Sequence, residues 1–142
     1  MLRTRLIHPE ILAALAAAGH GSQVLISDGN FPHATATPPG ARRVYLNLSP
    51  GRVTVTEVLE PVAATAPLEA AAVMRPHHAE APPMLEEYRA LLPPGTPVEV
   101  VERFAFYELA RGPDVTLVVA TGDQRLYANL LLTLGYVDPA GG

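Results

Sequence analysis

Two apolar patterns alternate along the chain. Positions spaced three or four residues apart are typical of helices, and short continuous runs are typical of buried strands. The first pattern predicts helices over residues 9–18, 55–62, 84–92 and 103–110. The second predicts strands over residues 24–26, 44–46, 70–74, 98–101 and 115–120. The last apolar run, residues 130–132, predicts either a strand or a short helix.

Boundary residues support the two helices in the first half of the chain. Pro9 suits the first position of a helix, and Gly19 is placed to end it. Thr54 and Glu57 have the spacing of a capping box. Pro61 lies inside the second pattern, so it is expected to kink or shorten that helix.

The order of these elements indicates the fold class. Helices and strands alternate without an internal repeat, separated by proline-rich loops over residues 31–43 and 75–83. That order is typical of α/β proteins. The length of 142 residues suits one domain. We therefore expect residues 1–142 to form a single-domain three-layer sandwich around a mostly parallel or mixed sheet.

Composition narrows the chemistry that the chain can perform. There is no cysteine, and all ten basic residues are arginines. This excludes a disulfide framework, a thiolate nucleophile, a Schiff-base lysine and a P-loop lysine. The net charge of −4, with no clustered basic face, argues against a nucleic-acid binder. No apolar run approaches the ~18 residues of a membrane span, so we expect a cytoplasmic protein.

Two candidate chemical groups flank the first predicted strand. His20 lies between Gly19 and Gly21, whose flexibility could let the imidazole project into a cleft. From the pattern alone, the triplet favours a helix end that carries an exposed histidine. Asp28 follows the strand, at the end where open α/β sheets bind ligands, although an aspartate before Gly29 also makes ordinary turns. These two residues bracket opposite ends of one strand.

Two further groups lie in the second half of the chain. Arg103 and Tyr107 are four residues apart and share a helix face, where they could bind hydroxyl groups or transfer a proton. A solvated arginine beside a packed aromatic ring would have the same spacing. Tyr127, Ala128 and Asn129 offer side-chain and backbone ligands for a sugar, or form a turn into the last strand.

A metal or nucleotide site is not indicated. His77 and His78 are adjacent, so their side chains point apart on an extended chain, and no third ligand has suitable spacing. The glycines do not form the pattern of a dinucleotide-binding loop. These patterns support neither a metal site nor a dinucleotide site.

In their order and spacing, these motifs resemble those of the L-fucose mutarotase / D-ribose pyranase family. The segment Arg-Phe-Ala-Phe-Tyr-Glu is similar to the fucose branch in particular. The resemblance covers nearly the whole chain and rests on these segments: Gly19-His20-Gly21, Ser27-Asp28, Phe31-Pro32, Arg103-Phe104-Ala105-Phe106-Tyr107-Glu108, Ala120-Thr121-Gly122 and Tyr127-Ala128-Asn129.

The resemblance implies a cofactor-free isomerase that interconverts the anomers, or the pyranose and furanose forms, of fucose, ribose or a related monosaccharide. His20 would be the catalytic acid and base, and Tyr107 a second proton-transfer group. The sugar would be held by Asp28, Arg103, Tyr127, Ala128 and Asn129.

The resemblance also implies a high-order homo-oligomeric ring in which neighbouring subunits complete each site. The family's Leu-Asp-Ser/Thr-Tyr segment occurs here only as Leu68-Glu69-Ala70-Ala71, which leaves the role of Glu69 open. The physiological sugar is also open. The alternative function is a non-catalytic monosaccharide-binding or transport-associated module that uses the same pocket.

Overall fold

The computed structural model describes residues 1–141. Within them, six strands form one sheet, and four helices pack against its two faces. The helices are α1 (Pro9–Ala17), α2 (Val55–Ala63), α3 (Leu85–Leu91) and α4 (Arg103–Ala110). The strands are β1 (Gln23–Ser27), β2 (Arg42–Tyr45), β3 (Leu68–Met74), β4 (Val98–Val101), β5 (Val115–Ala120) and β6 (Leu130–Leu134). Each element that the apolar pattern predicts is present, and the last run is a strand rather than a helix.

The sheet is mixed, with one strand running against the others. Its order is β2-β5-β1-β6-β3-β4. Strand β6 is antiparallel to both β1 and β3, while β1, β2 and β5 are mutually parallel and β3 is parallel to β4. The carboxyl ends of the parallel strands therefore meet at the start of β6. We call this side of the sheet the carboxyl edge, and the opposite side the amino edge.

Side-chain alternation along the strands divides the core between the two faces. Val24 and Ile26 pack with α1, α2 and α3, whereas Leu25 faces Phe106 of α4 on the other side. The loop over residues 31–41 packs beside α4 through Phe31. The result is the three-layer sandwich that the sequence predicts, with three helices on one face and α4 on the other.

The capping box predicted for α2 is formed. The Thr54 hydroxyl accepts a hydrogen bond from the Glu57 N–H at 3.1 Å, and the Glu57 carboxylate accepts one from the Thr54 N–H at 3.4 Å. Pro61 lies inside the helix, which ends two residues later at Ala63. Pro61 cannot donate a helical hydrogen bond to the carbonyl four residues before it, at Glu57, yet the helix continues through it to Ala63.

A buried carboxylate ties α2 to the segment after β5. The side chain of Asp123 accepts a hydrogen bond from the Val55 N–H at 2.9 Å and pairs with the Arg125 guanidinium at 2.8 Å. Burial alone would raise the pKa of Asp123. The hydrogen bonds from Arg125 and from the Val55 N–H outweigh burial and leave the pKa of this carboxyl below its usual value.

No helix within residues 1–141 is long and apolar enough to cross a membrane. The cytoplasmic location expected from the sequence stays a prediction.

Replacing Asp123 with alanine should lower the free energy of unfolding. The Val55 N–H loses its acceptor and Arg125 loses one of its two carboxylate partners, but Arg125 is partly exposed and keeps its ion pair with Glu87 at 2.9 Å. We therefore expect a loss of about 2–3 kcal/mol, below the usual range for a broken buried pair. Urea denaturation at pH 7 measures it. The exposed Glu60, paired with Arg5 at 3.2 Å, provides the control, since E60Q should change stability by less than about 1 kcal/mol.

The same pair has a defined pH dependence. Because the folded pKa of Asp123 is lowered, its contribution is complete above the ordinary carboxyl pKa. It is lost as the pH falls through the lower folded value, so the gap between wild type and D123A should narrow below about pH 4. A gap that stays constant down to pH 2 would contradict this assignment.

Candidate functional site

A small cavity of about 220 Å³ lies at the carboxyl edge. Most small-molecule pockets are larger, so a cavity of this volume suits a ligand smaller than most drugs. We call it the carboxyl-edge pocket. Its lining comes from the ends of β1 and β3, from α4 and from the segment before β6. The lining residues are Asp28, Asn30, Phe31, Met74, Arg103, Tyr107, Leu126, Tyr127 and Asn129.

Two hydrogen bonds join Asp28, after β1, to Asn129, before β6. The Asn129 side-chain oxygen accepts from the Asp28 N–H at 2.8 Å, and its amide group donates to the Asp28 carboxylate at 3.3 Å. The other carboxylate oxygen accepts from the Asn30 N–H at 2.9 Å. Burial raises the pKa of Asp28 above its usual value, and these hydrogen bonds offset part of that rise. The pair presents a fixed acceptor to the pocket.

Arg103 and Tyr107 lie on one face of α4, as their spacing predicts. The Arg103 Nε–H donates to the Tyr107 hydroxyl at 3.3 Å. A guanidinium has five N–H donors, so the two terminal nitrogens stay free to donate to a ligand. Because the Tyr107 oxygen accepts from Arg103, its own proton is available to another acceptor. The Tyr107 ring packs edge-on against Phe31, with centroids 5.4 Å apart.

The segment before β6 adopts a strained conformation that its neighbours enforce. Tyr127 has a φ of +66°, in the left-handed region that bulky residues rarely occupy. The buried Tyr88 of α3 donates its hydroxyl to the Ala128 carbonyl, and Asn129 is fixed by Asp28. Strain of this kind persists where surrounding contacts determine the backbone. These contacts orient the Tyr127 ring so that it lines the pocket.

His20 lies elsewhere, at the amino edge. Its Nε2 is 2.9 Å and 3.1 Å from the two carboxylate oxygens of Glu69 at the start of β3. The ring packs edge-on against Tyr136, with centroids 5.2 Å apart. About half of the His20 side chain is exposed. The five residues of β1 separate it from Asp28 by roughly 16 Å.

Within one chain, therefore, the predicted site residues form two groups rather than one. Asp28, Arg103, Tyr107, Tyr127 and Asn129 line the carboxyl-edge pocket, whereas Ala128 is buried behind it. His20 does not reach this group. The sequence identifies both locations as candidates but leaves open whether they meet, and the structure shows that they do not meet within a subunit.

A wider cleft of about 470 Å³ adjoins the pocket and shares Arg103 and Tyr127 with it. His77 and His78 lie in its wall, on an exposed loop, with ring centroids 6.2 Å apart. Among residues 1–141, no group of three or more histidine, aspartate or glutamate side chains is placed to hold a metal ion. The arrangement is one of hydrogen-bond donors and acceptors.

Sequence reasoning missed Tyr88, and it named Glu69 but left its role open. Tyr88 anchors the Ala128 carbonyl, and the available signal was a tyrosine at a buried helix position, where its hydroxyl needs a partner. Glu69 pairs with His20, but 49 residues separate them and only the antiparallel neighbour β6 brings their strands into register. No local pattern reveals that contact.

Comparison with known proteins agrees with this fold. The model of the RbsD / FucU transport protein family matches residues 1–137. The D-ribose pyranase of Paracidovorax citrulli is 33% identical over 95% of this chain and 98% of its own. The human fucose mutarotase is 34% identical over 92% of this chain and 89% of its own.

Solved structures show the same fold. The crystal structure of FucU from Bifidobacterium longum superposes with a TM-score of 0.78, at 33% identity over 93% of this chain and 96% of that one. The fucose mutarotase of Streptococcus pneumoniae in complex with L-fucose has a TM-score of 0.81 and 23% identity, covering 97% of this chain and all of that one. By its sequence along nearly its whole length, the chain belongs to the RbsD / FucU transport protein family.

Proposed function

We propose that this protein is a monosaccharide mutarotase, an isomerase that opens and recloses the ring of a free sugar. The reaction exchanges α and β anomers, or pyranose and furanose forms, of fucose, ribose or a related sugar. Relatives of similar length named D-ribose pyranase and fucose mutarotase support this reaction class.

The observation that carries the proposal is the make-up of the carboxyl-edge pocket. Each sugar hydroxyl can donate one hydrogen bond and accept others. The pocket offers the free guanidinium donors of Arg103 beside the buried acceptors of Asp28, with two tyrosine rings in the wall. Its volume of about 220 Å³ suits one sugar ring. Mixed donors and acceptors on aromatic walls match a polyol better than an apolar or strongly ionic ligand.

The chemistry needs only proton transfer. Ring opening removes the proton from O1, breaks the bond between C1 and the ring oxygen, and places a proton on that oxygen. The imidazole of His20 takes the O1 proton, and the phenol of Tyr107 supplies one to the ring oxygen. The resulting aldehyde turns about the C1–C2 bond. Reversal of the same transfers closes the ring, and both residues regain their starting protonation.

His20 would serve the pocket of a neighbouring copy. The carboxyl-edge pocket and His20 with Glu69 lie at opposite edges of the sheet, and we call them the two half-sites. One chain therefore cannot bring its own histidine to its own pocket. Exposed apolar side chains border both: Phe104 and Leu126 beside the pocket, and Tyr136 and Val137 beside His20. Clustered apolar exposure of this kind marks surfaces that associate. A closed ring of copies would pair every pocket with one histidine.

Replacing His20 with alanine should abolish most catalysis and leave sugar binding intact. General acid–base groups contribute roughly 10²–10⁴-fold, and we expect a loss in that range. The measurement is NMR saturation transfer between the α and β anomer signals of fucose, galactose and ribose. His78, on the exposed loop, gives the matched control: H78A should keep the wild-type exchange rate.

Two outcomes of that experiment would contradict the proposal. Full exchange by H20A would remove His20 from the reaction. Saturable sugar binding by the wild type without faster exchange of any of the three sugars would instead establish the alternative function, a sugar-binding module.

Sharing of sites between subunits predicts complementation. H20A and R103A should each be nearly inactive alone, but a mixed oligomer contains pockets with an intact Arg103 facing an intact His20. Random mixing gives roughly a quarter of the wild-type sites. Co-expression of the two variants with different affinity tags, followed by the NMR assay on the doubly purified oligomer, tests this.

No recovery of activity in the mixed oligomer would show that each chain forms its own site. Light scattering provides the independent check, because a monomer at the assay concentration is incompatible with shared sites.

A further inference from the structure

We propose that His20 transfers the proton through Nδ1, and that Glu69 is the positioning residue that assigns this role to it. The inference rests on the proposed function and identifies the reacting atom within it.

The geometry of the pair determines which nitrogen can react. Nε2 of His20 lies within 3.1 Å of both carboxylate oxygens of Glu69. An ionised carboxylate only accepts hydrogen bonds, so Nε2 must carry a proton to make this contact. This is true of the neutral imidazole and of the imidazolium alike. The proton that comes and goes during catalysis is therefore on Nδ1.

The surrounding backbone fixes Glu69 and the ring together. The Gly21 N–H donates to the Leu134 carbonyl at 2.9 Å, and the Gly135 N–H donates to the Pro67 carbonyl at 2.8 Å. These bonds join the turn that carries His20, the end of β6 and the start of β3. Gly135 lies beside Glu69, because a Cβ built on it would be 3.4 Å from the Glu69 Cβ, an ordinary van der Waals distance. Tyr136 then closes on the imidazole from the other side.

The pair has a direct consequence for the reaction. When Nδ1 takes the O1 proton, His20 becomes an imidazolium whose second N–H already faces a negative charge. The carboxylate stabilises that cation and prevents the ring from rotating to present Nε2 instead. When the ring recloses, the Nδ1 proton returns to O1 and the neutral Nε2–H tautomer is restored.

Long-range ¹H–¹⁵N NMR of the full-length protein, labelled at its histidines, tests the assignment without any substrate. Neutral His20 should be in the Nε2–H tautomer in the wild type. E69Q should keep that tautomer, because an amide oxygen also accepts from Nε2–H, whereas E69A should show a mixture of both. In the anomer-exchange assay, E69A should lower kcat about 10–100-fold with little change in KM, and E69Q should fall between E69A and the wild type.

E60Q is the matched control, since Glu60 is an exposed carboxylate paired with Arg5. It should leave both the tautomer and the exchange rate unchanged. An Nδ1–H tautomer in the wild type, or a wild-type kcat in E69A, would overturn the proposal. Its failure is separable from that of the proposed function. An Nδ1–H tautomer beside normal exchange would refute only the role of Glu69, whereas an Nε2–H tautomer without exchange in the wild type would refute the mutarotase reaction and leave the tautomer assignment standing.

Discussion

The antiparallel course of β6 between β1 and β3 brings candidate groups together at both edges of the sheet. At its start, β6 brings Asn129 against Asp28 and so builds the carboxyl-edge pocket. At its end, it brings Tyr136 against His20 and aligns β3 so that Glu69 reaches the same ring. If β6 ran parallel to its neighbours, its start would lie near His20 and its end near Asp28. The positions of Asn129 beside Asp28 and of Glu69 beside His20 therefore depend on the direction of one strand.

Local signals in the sequence were sufficient for the elements and the layers. Capping at Thr54, the proline at the start of α1 and the continuous apolar run of β5 each act over a few residues, so they can be interpreted without the rest of the chain. The pairing of Arg103 with Tyr107 was predictable for the same reason, because helix geometry sets the distance between positions four apart.

What the sequence left open depends on contacts between distant segments. The direction of β6 cannot be inferred from Leu130–Leu134, since an apolar run is equally suited to either orientation within a buried sheet. The partner of His20 and the anchor of Ala128 follow from that direction and from the docking of α3. Order and spacing of motifs predicted the candidate site residues as a set, while their division between two edges required the three-dimensional arrangement.

The buried carboxyl of Asp28 implies a trade-off between stability and recognition. Burial favours its protonated form, so the folded state loses stability as the pH rises through the raised pKa. At neutral pH the pocket thus holds a poorly hydrated carboxylate acceptor, to which the hydroxyl groups of the proposed sugar would donate hydrogen bonds. This charge therefore costs folding stability, a cost that the proposed sugar recognition would explain.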